Sequence, residues 1–122
     1  MYEFDTYKTA NGEDAILDWF TSLGEKSKTD KEARILANKI DLCLRLVREN
    51  GTRIGMPITR YMGDKIWELR PNDERIFYGY WKDNTFILLH HFHKKGDKTP
   101  PLELDRAKRY LKDWLERNGE NG

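Results

Sequence analysis

The chain has little of what usually announces a function. It carries one cysteine, Cys43, in 122 residues. A single thiol closes no internal disulfide, so the fold does not depend on an oxidising compartment. Cys43 lies beside an apolar helical stripe and reads as a small packing residue. No apolar run approaches the roughly 20 residues a membrane span needs. The opening Met1 to Asp5 lacks the basic and apolar regions of a secretory signal, so the cytoplasm is the expected place. Neither G-x-x-x-x-G-K-S/T nor G-x-G-x-x-G occurs, and nucleoside-triphosphate chemistry is unsupported. The only histidines are His90, His91 and His93. On a strand His91 and His93 share a face, but a third metal ligand is not in sight, so neither a metal nor another cofactor is expected. There is no internal repeat and no linker, and the length suits a single domain over residues 1–122.

Net charge is also scarce, at +1, but it is unevenly spread. Residues 1–50 carry 8 Lys/Arg and 10 Asp/Glu, whereas residues 51–112 carry 13 against 8. The last ten residues return to acid, with one Arg and three carboxylates. A basic segment between acidic ends concentrates positive potential where a polyanion docks. Charged residues make up 35 % of the chain and aromatics 12 %, which gives a water-facing surface with bulky groups to close a core.

The first half has helical periodicity. Ile16, Leu17, Phe20 and Leu23 form one stripe over Glu13–Leu23, with Asn11 or Gly12 as the cap and Gly24 as the stop. Thr29 or Asp30 caps a second helix that runs to about Glu49, with Ile35, Leu36, Ile40, Leu44 and Val47 inside and Asn50-Gly51 ending it. The two form an αα-hairpin. Tyr2 to Tyr7 alternates weakly, as a short strand does.

From Arg53 the period shortens. Strands are expected over Ile58–Met62, Lys65–Arg70, Arg75–Trp81 and Thr85–His93, joined by turns at Gly63-Asp64, Pro71–Glu74 and Asp83-Asn84. Short loops make these an antiparallel meander. A last helix over Leu102–Leu115 carries Leu104, Ala107, Tyr110, Leu111 and Trp114 at helical spacing. The class is α+β: an N-terminal αα-hairpin packed on an antiparallel sheet, with a C-terminal helix.

Register places the candidate chemistry. Across the Pro71–Glu74 turn, Arg70 faces Arg75, Leu69 faces Ile76 and Trp67 faces Tyr78. Continuing over Asp83-Asn84 pairs Phe77 with His90 and Tyr78 with Leu89. Trp67, Leu69, Ile76, Tyr78, Ile87 and Leu89 then pack on the helices. Arg70, Arg75, Phe77, Leu88, His90 and Phe92 lie on the other, open face. Guanidinium groups bind phosphate bidentately, an exposed ring stacks on a base, and an imidazole moves a proton near neutral pH. Glu68, opposite Phe77, pairs with a neighbouring arginine or serves as a base. Lys94, Lys95 and Lys98 continue the basic surface into a loop ending at Pro101.

These residues form an ordered set. Lys65 to Pro71 (KIWELRP), Glu74 to Tyr78 (ERIFY), Ile87 to Lys95 (ILLHHFHKK), Lys98 to Pro100 and Asp105 to Lys108 (DRAK) together resemble the phage-derived HigB-like toxins of the RelE/ParE superfamily. The resemblance implies the small RelE-like fold. It implies a toxin of a type II toxin–antitoxin system that cleaves messenger RNA on the ribosome, without metal, and so stops translation and growth. The partners it implies are a cognate helix-turn-helix antitoxin, the ribosome and mRNA, with operator DNA reached only through the antitoxin complex. By the same resemblance Arg75 contacts the scissile phosphate, Arg70 matches a basic position closing the preceding strand, and His90 matches a histidine common in the group. Lys94 and Lys95 take the place of a basic residue after the last strand. In the catalytic scheme Arg75, Arg70 and His90 act on the reacting groups, while Lys94, Lys95, Lys98 and Phe77 hold phosphates and base. The chain departs from the pattern where some relatives have a late tyrosine, since Glu103 or Leu104 stands there. ParE-type relatives share the fold and inhibit DNA gyrase without chemistry, and an inactive antitoxin-binding relative is the third reading.

Overall fold

The computed structural model describes residues 1–119. Its elements are β1 (Glu3–Thr6), α1 (Ala15–Lys26), α2 (Lys31–Asn50), a 3-10 turn (Gly51–Ile54), β2 (Thr59–Gly63), β3 (Ile66–Leu69), β4 (Glu74–Tyr80), β5 (Thr85–His93) and α3 (Pro101–Asn118). None of the described helices is long and apolar enough to cross a membrane.

The helix starts follow from side-chain caps. Asp14, rather than Asn11 or Gly12, caps α1: its carboxylate accepts the Leu17 N–H at 2.9 Å. Asp30 caps α2 by accepting the Glu32 N–H at 3.2 Å. Gly24 does not stop α1. Its φ is not positive, so it sits inside the last turns, where a glycine weakens a helix without breaking it. Gly51 does end α2, at a φ of 71° that a side chain would resist.

The sheet is five-stranded, in the order β1-β5-β4-β3-β2. It is mixed rather than antiparallel throughout, because β1 pairs parallel with β5. Local turns fix only the meander from β2 to β5. β1 reaches the far edge because the αα-hairpin crosses one face of the sheet between β1 and β2. Asp83 and Asn84 take φ values of 52° and 58°, the pair of left-handed residues that a tight two-residue hairpin turn requires.

The expected register holds as far as Phe77, which pairs with His90, and then breaks. Tyr78 pairs with Leu88, not Leu89, across a bulge in β5. One extra residue flips every side chain before it along the strand. Ile87 and Leu89 therefore lie with Phe77 and Phe92, while Phe86 and Leu88 lie with Tyr78 under the helical hairpin.

Neither face of the sheet is open. Ile16, Leu23, Ile40, Cys43 and Val47 of α1 and α2 close one core against Leu69, Ile76 and Tyr78. Ala107, Leu111 and Trp114 of α3 close a second core over Ile66, Phe77, Ile87 and Phe92. Phe77 is 0 % exposed, with its ring 5.3 Å from that of Phe92, and has no face to offer a base. Ile35, placed inside α2 by its spacing, is half exposed instead. In the first core the Tyr78 hydroxyl lies 2.7 Å from the Thr59 hydroxyl, which donates to the Glu68 carbonyl at 2.8 Å. Burial pushes the Tyr78 phenol up to about 12.

Phe77→Ala empties the centre of the α3-side core. Urea denaturation is expected to show a loss of about 3–5 kcal/mol, the range for aromatic truncation in packed cores. A loss below about 1 kcal/mol would mean that α3 is not docked on this face.

Candidate functional site

A small cleft opens where β3 ends and β4 begins. At its floor is Glu68, 1 % exposed. Its Oε1 accepts from Arg70 Nη1 at 2.7 Å and lies 3.4 Å from Arg60 Nη2 and 3.9 Å from Arg75 Nε. Its Oε2 accepts from the Thr99 hydroxyl at 3.4 Å. A carboxylate this deep is costly unless it is paired and hydrogen-bonded, and the three guanidinium groups meet that demand.

Arg75 is held from the other side. Its Nη1 donates to the carbonyls of Asn72 and Glu74, both at 2.8 Å. Burial, then the nearby Arg70 charge, lowers its pKa from the ordinary arginine value. An arginine so placed still keeps its proton. It is a cation kept largely out of water and oriented by backbone, an arrangement that strengthens its attraction for an anion.

The loop after β5 forms the opposite wall. The Lys94 N–H donates to the Asp73 carbonyl at 2.6 Å, which ties the loop to the Pro71–Glu74 turn. Lys94, Lys95, Lys98, Thr99 and Pro100 then line the cleft beside Arg60, Arg70 and Arg75. Six cations thus face two carboxylates, Glu68 and Asp97. The free volume is about 40 Å³, far too small to enclose a whole nucleotide.

The sequence-derived candidates therefore separate. Arg70, Arg75, Lys94, Lys95 and Lys98 come together, and Glu68 pairs with arginine. Arg60 and Thr99 join them without having been singled out. Arg60 is the cross-strand partner of Glu68, so the β2–β3 register was the signal that would have found it. Phe77 is under α3. His90 shares the sheet face but does not line the cleft. Its Nε2 lies 3.0 Å from Glu103 Oε1, on the first turn of α3.

His91 points to the opposite face, its ring stacked on Trp19 of α1 at 3.8 Å and 2°. Its Nδ1 is buried without a hydrogen-bond partner among the described residues, 3.9 Å from a Glu74 oxygen. Glu74 instead holds His93 Nδ1 at 2.8 Å. Among the described residues no group of three His, Cys, Asp or Glu side chains is arranged to hold a metal ion.

The sequence model of the phage-derived protein Gp49-like family (DUF891) matches residues 19–112. The chain belongs to this Gp49-like family. The family is of the RelE, toxin–antitoxin type, and that membership implies an antitoxin as partner. No curated protein matches the chain. The Gp49-like match takes in every cleft residue from Arg60 to Pro100 and stops short of β1 and the segment leading into α1.

The buried imidazole of His91 is expected to make the stability of this Gp49-like protein sensitive to acid. Burial holds its imidazole below the ordinary histidine pKa, in spite of the opposing pull of Glu74. The folded state then binds fewer protons than the unfolded one, so stability falls as pH drops through about 6.5. Denaturation midpoints measured between pH 7.5 and 5 should show that slope in the native chain and a shallower one in His91→Gln. Identical slopes would rule out this origin.

Proposed function

We propose that this Gp49-like protein is the toxin of a type II toxin–antitoxin pair and a metal-independent, ribosome-dependent endoribonuclease acting on messenger RNA, in the manner of HigB-like toxins. One observation carries the reading. Three guanidinium groups and three lysines line one small cleft, around a carboxylate that already mimics the anion they await.

The chemistry follows from that exchange. Phosphate entering the cleft competes with Glu68 for Arg70 and Arg75. The guanidiniums then face the charge that builds on the phosphoryl oxygens as the substrate's 2′-hydroxyl attacks phosphorus. Glu68, relieved of its partners, accepts the 2′-hydroxyl proton. A lysine ammonium of the loop gives a proton to the departing 5′-oxygen. The products are a 2′,3′-cyclic phosphate and a free 5′-hydroxyl. Lys94, Lys95 and Lys98 hold flanking phosphates. His90 is not beside the reacting phosphate in this scheme, and proton transfer falls to Glu68 and lysine instead. A helix-turn-helix antitoxin would silence the toxin, and operator DNA would be met only by the pair.

The chain is to be induced alone in a bacterial host and transcripts mapped by primer extension. Cuts within translated regions are expected, reduced about 10²–10³-fold by Arg75→Ala, the usual effect of removing one charge-stabilising donor. Glu68→Gln should also lose cleavage, with antitoxin binding retained in both variants as the control for folding. Growth arrest with intact transcripts would overturn the nuclease reading in favour of a ParE-like inhibitor of gyrase. Absence of arrest would favour an inactive antitoxin-binding relative.

A further inference from the structure

A second cleft lies on the same side of the sheet as the arginine cleft, beyond the first turn of α3. β1 ends at Thr6, and the last main-chain bond from that segment to β5 is Tyr7 N–H to the Leu88 carbonyl at 2.9 Å. Beyond it the β5 edge at Leu89, His90 and His91 has no strand beside it among the described residues. A notch of about 220 Å³ occupies the place. It falls just short of the roughly 300 Å³ at which sites for whole small molecules begin, so it suits one flat ring system.

The walls have defined chemistry. Tyr7 and Tyr110 stack on each other at 4.4 Å and 10° and form an aromatic side, with the His90 ring edge-on to Tyr110 at 6.1 Å. Glu13, from the segment before α1, also lines the notch and is exposed. Arg106, from α3, contributes a guanidinium, about half exposed and 3.9 Å from Glu103. Both charges are accessible, and they come from different elements. Among the bases, guanine alone presents two acceptors, O6 and N7, on one edge and the N1–H and exocyclic amine donors beside them. Arginine matches the first edge bidentately, and a carboxylate accepts from the second. Adenine meets that carboxylate with no N1–H, and a pyrimidine has no N7.

We infer that the notch between Tyr7, Glu13, His90, Arg106 and Tyr110 is a guanine-binding subsite. Its place in RNA cleavage rests on the ribonuclease reading: it would take a base of the strand whose phosphate enters the arginine cleft. Guanine binding itself does not depend on that reading, because the two clefts share no lining residue. The free strand edge of β5 also offers main-chain groups, which an extended peptide would use in another way.

The test is a titration of the full chain with guanosine 5′-monophosphate, followed by the shifts of the Tyr110 ring and His90 imidazole proton signals in NMR. Saturable binding is expected, at least about tenfold tighter than for the adenine, cytosine or uracil nucleotides. The inosine nucleotide, which lacks the exocyclic amine, should bind more weakly than the guanosine one. Glu13→Gln and Arg106→Gln lie on the surface and should each weaken binding about tenfold or more without unfolding the chain. Arg75→Ala should leave it unchanged, even though that variant loses cleavage. Equal affinity for all four nucleotides overturns the inference, as does binding lost in Arg75→Ala but kept in Glu13→Gln, which would place the ligand in the arginine cleft. No nucleotide shift, with the same signals moved by an acidic peptide, overturns it in favour of strand addition.

Discussion

A buried carboxylate among arginines constrains this molecule more than any other contact. Glu68 sits in the middle of a sheet, where an unpaired charge would cost several kcal/mol. The structure meets that cost from four directions: Arg60 across from it on β2, Arg70 two residues on, Arg75 on β4, and Thr99 ahead of α3. Each of these partners comes from a different segment. The charge therefore acts as a register pin, since a slip of any neighbouring strand would strand it. The cluster that pins the sheet is also the cluster that an anion would unpin, which joins stability to the proposed function at one point.

The second constraint is that the sheet is covered on both faces. α1 and α2 take one side and α3 the other, so the polar groups of the sheet itself reach the surface at strand ends and edges. The arginine cleft lies where the β3–β4 turn meets the loop after β5. The guanine notch lies where β1 gives out beside β5. α3 connects the two, with Glu103 on His90 at its first turn and Tyr110 against Tyr7 two turns later. Its far end is tied to the segment after β1, by the Tyr7 hydroxyl donating to Asp113 and by Arg117 donating to the Lys8 carbonyl. Burial of the apolar stripe of α3 thus sets the spacing of two polar sites that have no residue in common.

Much of this was legible in the residues. The helical stripes of α1, α2 and α3, the turn at Asp83-Asn84 and the span of β5 all follow from period and turn chemistry, which are local. The grouping of Arg70 and Arg75 with the lysines after β5 was legible for the same reason, since one turn and one strand end bring them together. The family match to residues 19–112 agrees with the ordered set of segments from Lys65 to Lys108.

What the chain alone determined, then, was its elements, their order and the neighbours joined by short turns, because those depend on side-chain period and on φ preferences of single residues. Only the tertiary structure decided three things. The parallel pairing of β1 with β5 depends on a crossover of two helices, not on any turn. The bulge at Leu89 is a one-residue slip with no turn residue to mark it, yet it exchanged the faces of Ile87, Leu88 and Leu89. The docking of α3 over Phe77 came from matching two apolar surfaces distant in sequence, and it changed a supposed stacking platform into core while leaving His90 outside the arginine cleft.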